Sequence, residues 1–238
     1  MVTQTIKIKA TAEDTVSGVI NVPEECRPGV TPGLILAHGQ SNDMNLPLLA
    51  FVAEYLADSG VASVLRFNFP YAERGAKRPD TAVALQTAFQ RAHDVFLENP
   101  ACPSGPVFLG GKSLGARIAS ELVSRTPEAG GLDATGLVFL GFPLHAPGRG
   151  DQPSLEPLRR INVPSLFITG TRDPFCDLNL LQAAAAGLDY PGTVYLIANG
   201  NHSFEVPAAA GRSQEDVNRE IAERVACFIH LVRTEVIP

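Results

Sequence analysis

The segment Phe108-Leu109-Gly110-Gly111-Lys112-Ser113-Leu114-Gly115-Ala116 passes from an apolar strand pattern directly into a helical one. At the junction stands Gly111-x-Ser113-x-Gly115. A serine at a tight strand-to-helix turn has strained dihedrals and presents its hydroxyl at the sheet edge. The flanking glycines let strand and helix backbones pass closely. The N-terminus of the following helix can help to stabilise negative charge. A glycine-rich turn with an ordinary N-cap serine would read the same residues without chemistry. The elements on either side favour a nucleophile elbow.

Outward from this point, strand and helix patterns alternate along the chain. Toward the N-terminus lie two opening strands at 4–10 and 15–22, then a continuous apolar run at 33–37. A helix is predicted over 46–58, a strand over 61–67 and a helix over 81–97. The strand at 107–109 leads into the elbow, and a helix follows over 114–125. Beyond it come a strand at 137–140, a short helix at 154–160, a strand at 165–168 and a helix at 178–187. A last strand at 194–197 precedes a closing helix over 214–233. Continuous apolar runs suit strands buried on both faces. Alternating βαβα units predict an α/β fold, a mainly parallel central sheet with helices on both faces. The Pro/Gly-rich segment 141–153 reads as a loop rather than a boundary, so residues 1–238 are expected to form one domain.

A serine hydroxyl needs a base to take its proton and a carboxylate to orient that base. Asp173, in Gly170-Thr171-Arg172-Asp173-Pro174, follows the 165–168 strand. His202, in Gly200-Asn201-His202-Ser203-Phe204, follows the 194–197 strand. Both loops leave the carboxyl ends of strands, the edge where α/β sheets place their sites. Ser113, Asp173 and His202 are therefore the expected triad, in the order serine, acid, histidine. Asp177 is a weaker acid, read as a charge at a helix N-terminus. His230 is expected to be a packed or half-exposed residue of the closing helix. His93 lies on a helix with no matching partner, and Cys176 reads as a small packing residue. His38-Gly39 closes the 33–37 strand, and the loop after it is expected to give one oxyanion-hole N–H. Gln40, or an immediate neighbour, and Leu114 are the expected backbone donors.

These features together resemble an α/β-hydrolase, and more narrowly the small dienelactone-hydrolase-related group that includes testis-expressed protein thirty. The resemblance is carried by His38-Gly39 with Met44, by Leu65-Arg66-Phe67-Asn68-Phe69-Pro70-Tyr71 and by Pro79-Asp80. It continues through Gly110 to Arg117, through Gly141-Phe142-Pro143-Leu144-His145, and through the Asp173 and His202 loops. It spans about residues 33–204, with the Arg66–Tyr71 stretch its most group-specific part. Gln40 stands where relatives usually carry a smaller residue. Dienelactone hydrolases use a cysteine nucleophile; this chain has Ser113 there, so lactone specificity is not carried over.

His38, Arg66, Asn68, Tyr71 and His145 are candidate pocket residues. Arg74, Lys77, Arg78 and Arg149 could add an electropositive rim; the alternative, solvated loop charge with Arg66 tying loops together, is favoured. The chain of 238 residues is 45% apolar and 18% charged, with net charge −6. That balance speaks against a binder of nucleic-acid phosphates. The first nine residues lack a secretory h-region, and no apolar run approaches a membrane span. Cys26, Cys102, Cys176 and Cys227 are scattered without a C-x-x-C pair, as expected of reduced thiols in a cytoplasmic protein. No cofactor or metal is implied. The expected activity is hydrolysis of a carboxylic ester or related acyl bond in a small molecule. An acyltransferase or peptidase would use the same triad, and a silent binding or scaffold protein is the rival outside enzymes. The oligomeric state is left open.

Overall fold

A computed structural model describes residues 1–100, 105–145, 153–190 and 192–235. Its strands are β1 (Val2–Lys9), β2 (Thr15–Val22), β3 (Gly33–Ala37), β4 (Ser63–Phe67), β5 (Val107–Lys112), β6 (Gly136–Leu140), β7 (Ser165–Gly170) and β8 (Thr193–Ile197). They form an eight-stranded sheet in the order β1-β2-β4-β3-β5-β6-β7-β8. β1 pairs antiparallel with β2, and β2 with β4. Every later pairing is parallel. The helices are α1 (Pro47–Asp58), α2 (Pro70–Glu73), α3 (Ala82–Glu98), α4 (Leu114–Val123), α5 (Leu178–Ala186) and α6 (Gln214–Glu235).

Every residue of β3, β4, β6 and β7 is buried. The period of two then sorts their side chains into two cores. Leu34, Leu36, Val138, Leu140, Leu166 and Ile168 pack with α1 and α6. Ile35, Ala37, Leu109, Leu137, Phe139 and Phe167 pack with α3, α4 and α5. Helices therefore cover both faces, as the uninterrupted apolar runs require.

Helix starts follow from local chemistry. Pro47 occupies the first turn of α1, where its missing N–H costs nothing. Thr81 caps α3 by accepting from the Ala84 N–H at 3.3 Å. Asp177 caps α5 by accepting from the Leu180 N–H at 2.9 Å, which accounts for that carboxylate as a helix cap.

Several boundaries differ from the sequence expectation. β5 runs on through Gly110, Gly111 and Lys112, because both glycines pair in register with β3 and β6 despite their low strand propensity. The expected helix at 154–160 is a 3-10 turn at Leu158–Arg160, and Pro157 before it supplies no N–H. Pro70–Glu73, read as loop, is the short helix α2. His230 is exposed, because α6 turns Val225, Phe228, Ile229 and Val232 inward instead. Cys102 and Arg149 lie outside the described residues.

Candidate active site

Ser113 sits between β5 and α4 with φ 52° and ψ −109°, a conformation uncommon for a residue with a side chain. Two contacts hold it there. Its N–H donates to the Leu140 carbonyl at 3.0 Å, and its carbonyl accepts from Arg117 N–H at 3.1 Å to begin α4. The turn is this tight because Gly111 and Gly115 both press on β3. A Cβ on either would collide with the Ala37 carbonyl. Only glycine allows the two backbones to pass at that distance.

The acid and base come from the two neighbouring strand ends. Gly170, at the end of β7, lies against the Gly200 backbone so closely that a side chain there would strike it. The Arg172 N–H donates to Gly200 carbonyl at 2.9 Å, and Asn199 N–H to Thr171 Oγ1 at 2.9 Å. The Asp173 and His202 loops are thereby tied side by side. Asn201 stiffens the second loop by accepting from the Ser203 and Glu205 N–H groups at 2.8 and 3.0 Å.

The result is a continuous hydrogen-bonded chain. His202 Nε2 lies 2.9 Å from Ser113 Oγ, and His202 Nδ1 lies 2.7 Å from Asp173 Oδ2. The Asp173 carboxylate is fully buried, and its other oxygen accepts from Phe175 N–H at 2.9 Å. With the hydroxyl donating to Nε2, the imidazole proton sits on Nδ1 and points at the carboxylate. Phe175, which the sequence reading did not single out, covers the imidazole with ring centroids 4.3 Å apart.

A cleft of about 400 Å³ opens on this chain. Gln40 lines it with Ser113, Lys112, Leu48, Phe175 and His202. Leu114 is the first residue of α4, so its N–H has no carbonyl earlier in the helix to bond. Of the two expected oxyanion donors, Gln40 therefore lies in the cleft lining and Leu114 directly follows Ser113.

The candidate pocket residues behave differently. His38, Arg66, Asn68 and Tyr71 are buried behind the cleft and are absent from its lining. Their polar groups hold the loop that carries Gln40. His38 Nε2 accepts from Phe69 N–H at 3.0 Å, so its Nδ1 proton donates to the Gly39 carbonyl at 2.8 Å. The Tyr71 hydroxyl donates to the same carbonyl at 3.1 Å. Asn68 Oδ1 accepts from Met44 N–H at 2.8 Å, while Arg66 Nη1 donates to Met44 carbonyl at 2.7 Å. Asn68 Nδ2 in turn donates to Glu73 at 2.8 Å, and Glu73 accepts from the Ser17 N–H and hydroxyl. Burial pushes the Glu73 carboxyl up, yet the Asn68 and Ser17 hydrogen bonds outweigh it and hold the group down to about 2. The reason for the correction is physical: these side chains are buried and committed to the loop backbone, with only Arg66 Nε left without a partner, so they present no polar group to the cleft. His145 is half-buried, with its N–H donating to the Phe175 carbonyl at 3.3 Å, and it too is outside that lining.

Of the candidate basic rim, Lys77 lines an adjoining cavity that shares Gln40, Ser41, Asn42 and Leu46 with the cleft. Arg74 is ion-paired with Asp14 at 2.5 Å and Asp80 at 2.6 Å. Cys176 is buried, and burial pushes its thiol up to about 12, which suits a packing residue and not a nucleophile. The cation that does reach the cleft is Lys112, the x of the elbow motif, which sequence reasoning passed over. The available signal was its place in β5, two residues past Gly110 and four past Phe108, on the face toward α1 and α6. Among the described residues no cluster of His, Cys, Asp or Glu is arranged to hold a metal ion. Among the described residues, too, no helix is long and apolar enough to cross a membrane.

Comparison with known proteins agrees with this architecture. A dienelactone hydrolase from Anabaena variabilis superposes with TM-score 0.70 at 20% identity, covering 96% of this chain and 97% of its own. A serine hydrolase without a lid from Xanthomonas campestris matches at TM-score 0.65 and 19% identity over 93% and 92% of the two chains. The esterase domain of a Rhodothermus marinus protein matches at TM-score 0.69 and 15% identity over 96% and 98%. At these identities the likeness concerns the fold. The family model for the alpha/beta hydrolase domain matches residues 31–230, and the chain belongs to that family.

Proposed function

We propose that the protein is a serine hydrolase that cleaves a carboxylic ester or related acyl bond in a small molecule. The observation that carries this reading is the unbroken chain from Ser113 Oγ through His202 to Asp173. Ser113 Oγ attacks the acyl carbonyl carbon while its proton passes to His202 Nε2. The carbonyl oxygen becomes an oxyanion that the Gln40 and Leu114 N–H groups receive. As the tetrahedral intermediate collapses, the bond to the leaving group breaks and His202 protonates it. The acyl group stays on Ser113. Water then gives a proton to His202, attacks the acyl carbon, and releases the acid with Ser113 restored. Asp173 keeps the imidazole oriented and stabilises its charged form in both steps. These steps use only side chains and backbone of the chain.

A fluorophosphonate probe tests the reading. We expect stoichiometric labelling of Ser113, none in Ser113→Ala, and strongly slowed labelling in Asp173→Asn, with all three proteins folded. Labelling that persists in Ser113→Ala would remove the triad assignment. Absence of labelling in the wild-type protein would favour a binding or scaffold role.

A further inference from the structure

Lys112 is a cation in the lining of the cleft that the proposed chemistry does not use. It is only 5% exposed, yet it is among the residues that line the cleft beside Ser113 and Gln40. Among the described residues its ammonium has neither a hydrogen-bond acceptor nor a carboxylate at ion-pair distance. Its Nζ lies over the Phe204 ring, 5.5 Å from the centroid. A side chain built on Gly141 would meet Lys112 Nζ at 3.1 Å and His202 Cε1 at 3.5 Å. Ammonium and imidazole therefore flank one small space at the floor of the site.

The ammonium still touches the cleft's solvent, but one so largely withdrawn from water and with no acceptor among the described residues is costly. Burial pushes Lys112 down to about 8, and the Asp173 charge only partly offsets that. At neutral pH the group is still mostly protonated. It also stands beside a histidine that becomes positive during the reaction, where a second cation opposes the chemistry. Hydrophobic contact cannot be the reason for a lysine here: methionine would fill the same space without the cost. An incoming anion would satisfy all three observations, since it supplies the missing acceptor, neutralises the charge and offsets repulsion toward the imidazolium.

We propose that Lys112 is a specificity-determining residue that receives a carboxylate carried by the acyl substrate. This rests on the reading of Ser113 as an acyl-transferring nucleophile. Arg66 and Arg74 do not play this part, because the first is buried in the loop network and the second is ion-paired. Lys112 lies on the face of β5 toward α1, so the carboxylate would enter the arm of the cleft bounded by Leu48 and Ser203. A charge-assisted hydrogen bond there supplies selection that an open apolar groove cannot.

The test pairs two nitrophenyl esters of equal chain length, the monoester of glutaric acid and the valerate, each corrected for spontaneous hydrolysis. The ratio of kcat/KM for the anionic over the neutral ester is measured in wild type, Lys112→Met and Lys112→Arg. We expect wild type to favour the anionic ester, Lys112→Met to lower the ratio about tenfold or more, and Lys112→Arg to retain most of it. An unchanged ratio in a folded Lys112→Met overturns the proposal, as does a wild-type preference for the valerate. Glutarate itself supplies a readout on the wild-type protein. It should slow fluorophosphonate labelling of Ser113 while glutaramide does not, and equal effects of the two would also overturn it. Failure of the probe to label Ser113 at all would instead strike the hydrolase reading. Calorimetry of glutarate with wild type and Lys112→Met then decides Lys112 alone: binding lost in the variant supports the proposal, and no binding to wild type overturns it.

Discussion

At the residue scale, the site depends on glycines of two kinds. Gly115 lies against the β3 backbone, and a methyl group there would sit 2.6 Å from the Ala37 carbonyl carbon. Neither β3 nor α4 can retreat without unpairing the sheet, so we expect Gly115→Ala to cost about 3 kcal/mol or more. It should also displace Ser113 and abolish its labelling. Gly141 has φ +64°, and a methyl group there meets first the end of the Lys112 side chain at 3.1 Å, with His202 in ordinary contact beyond it. Gly141→Ala should therefore cost about 1–2 kcal/mol, from the left-handed backbone, and slow labelling without abolishing it. Urea denaturation together with labelling rate checks the order; a Gly115→Ala protein as stable as Gly141→Ala would contradict the packing argument. Ser113, Asp173 and His202 were legible in the sequence because their motifs sit beside strand ends, where pattern and chemistry coincide. Lys112 was not, because a lysine inside a glycine-rich turn looks solvated until the sheet register puts it under α1. Phe175 was hidden for a similar reason: its role lies in a loop fold that places it over an imidazole 27 positions away in sequence.

At the scale of elements, the Arg66–Tyr71 segment joins the end of β4 to α2 and acts on the neighbouring β3 loop. Its residue types suggested a pocket, since Arg, Asn and Tyr are common ligand-contacting groups. The register of β4 between β2 and β3 instead turns them toward the Gly39–Met44 backbone. Sequence spacing carries no information on that choice, because a residue at a strand end can face either the cleft or the next loop. The network has a measurable consequence at acid pH. Burial holds His38 below its ordinary 6.5, opposed by its bond to the Gly39 carbonyl and the charge of Asp43. Burial likewise lowers His93, opposed by Asp94. Below pH 6.5 the unfolded chain binds protons that the folded chain refuses. Stability is therefore full about a unit above that pH and falls as pH drops through it toward the lower folded values, by at most about 1.4 kcal/mol per pH unit for each histidine. Urea unfolding at pH 7.5, 6.5 and 5.5 should show a small loss over the first interval and a clearly larger one over the second. His93→Gln should reduce that loss and leave the share due to His38. A flat profile down to pH 5.5 would mean that neither imidazole is held neutral by burial.

For the molecule as a whole, what is missing above the site matters as much as what forms it. β6 ends at Leu140 and β7 begins at Ser165, and the described part of that connection holds only the 3-10 turn at Leu158–Arg160. A stretch of this length can form a loop but not a cap domain. The strand and helix pattern foretold this, since no insertion breaks the alternation. The walls of the cleft are therefore the loop after β3, the start of α1 and the two loops bearing Asp173 and His202, with Leu46, Leu48 and Phe175 as its apolar surface. Each methylene fully buried would contribute about 0.8 kcal/mol, close to a fourfold gain in kcat/KM if felt in the transition state. Three apolar side chains can cover only the first few carbons of an acyl chain, and those beyond remain in water. For neutral nitrophenyl esters from acetate to palmitate, we therefore expect kcat/KM to rise over the shortest chains, level off, and gain nothing beyond about eight carbons. A continued fourfold rise per methylene into the long chains would require a deep apolar channel. Among the described residues the cleft has no wall for one, because the apolar side chains behind it are already packed against the two faces of the sheet.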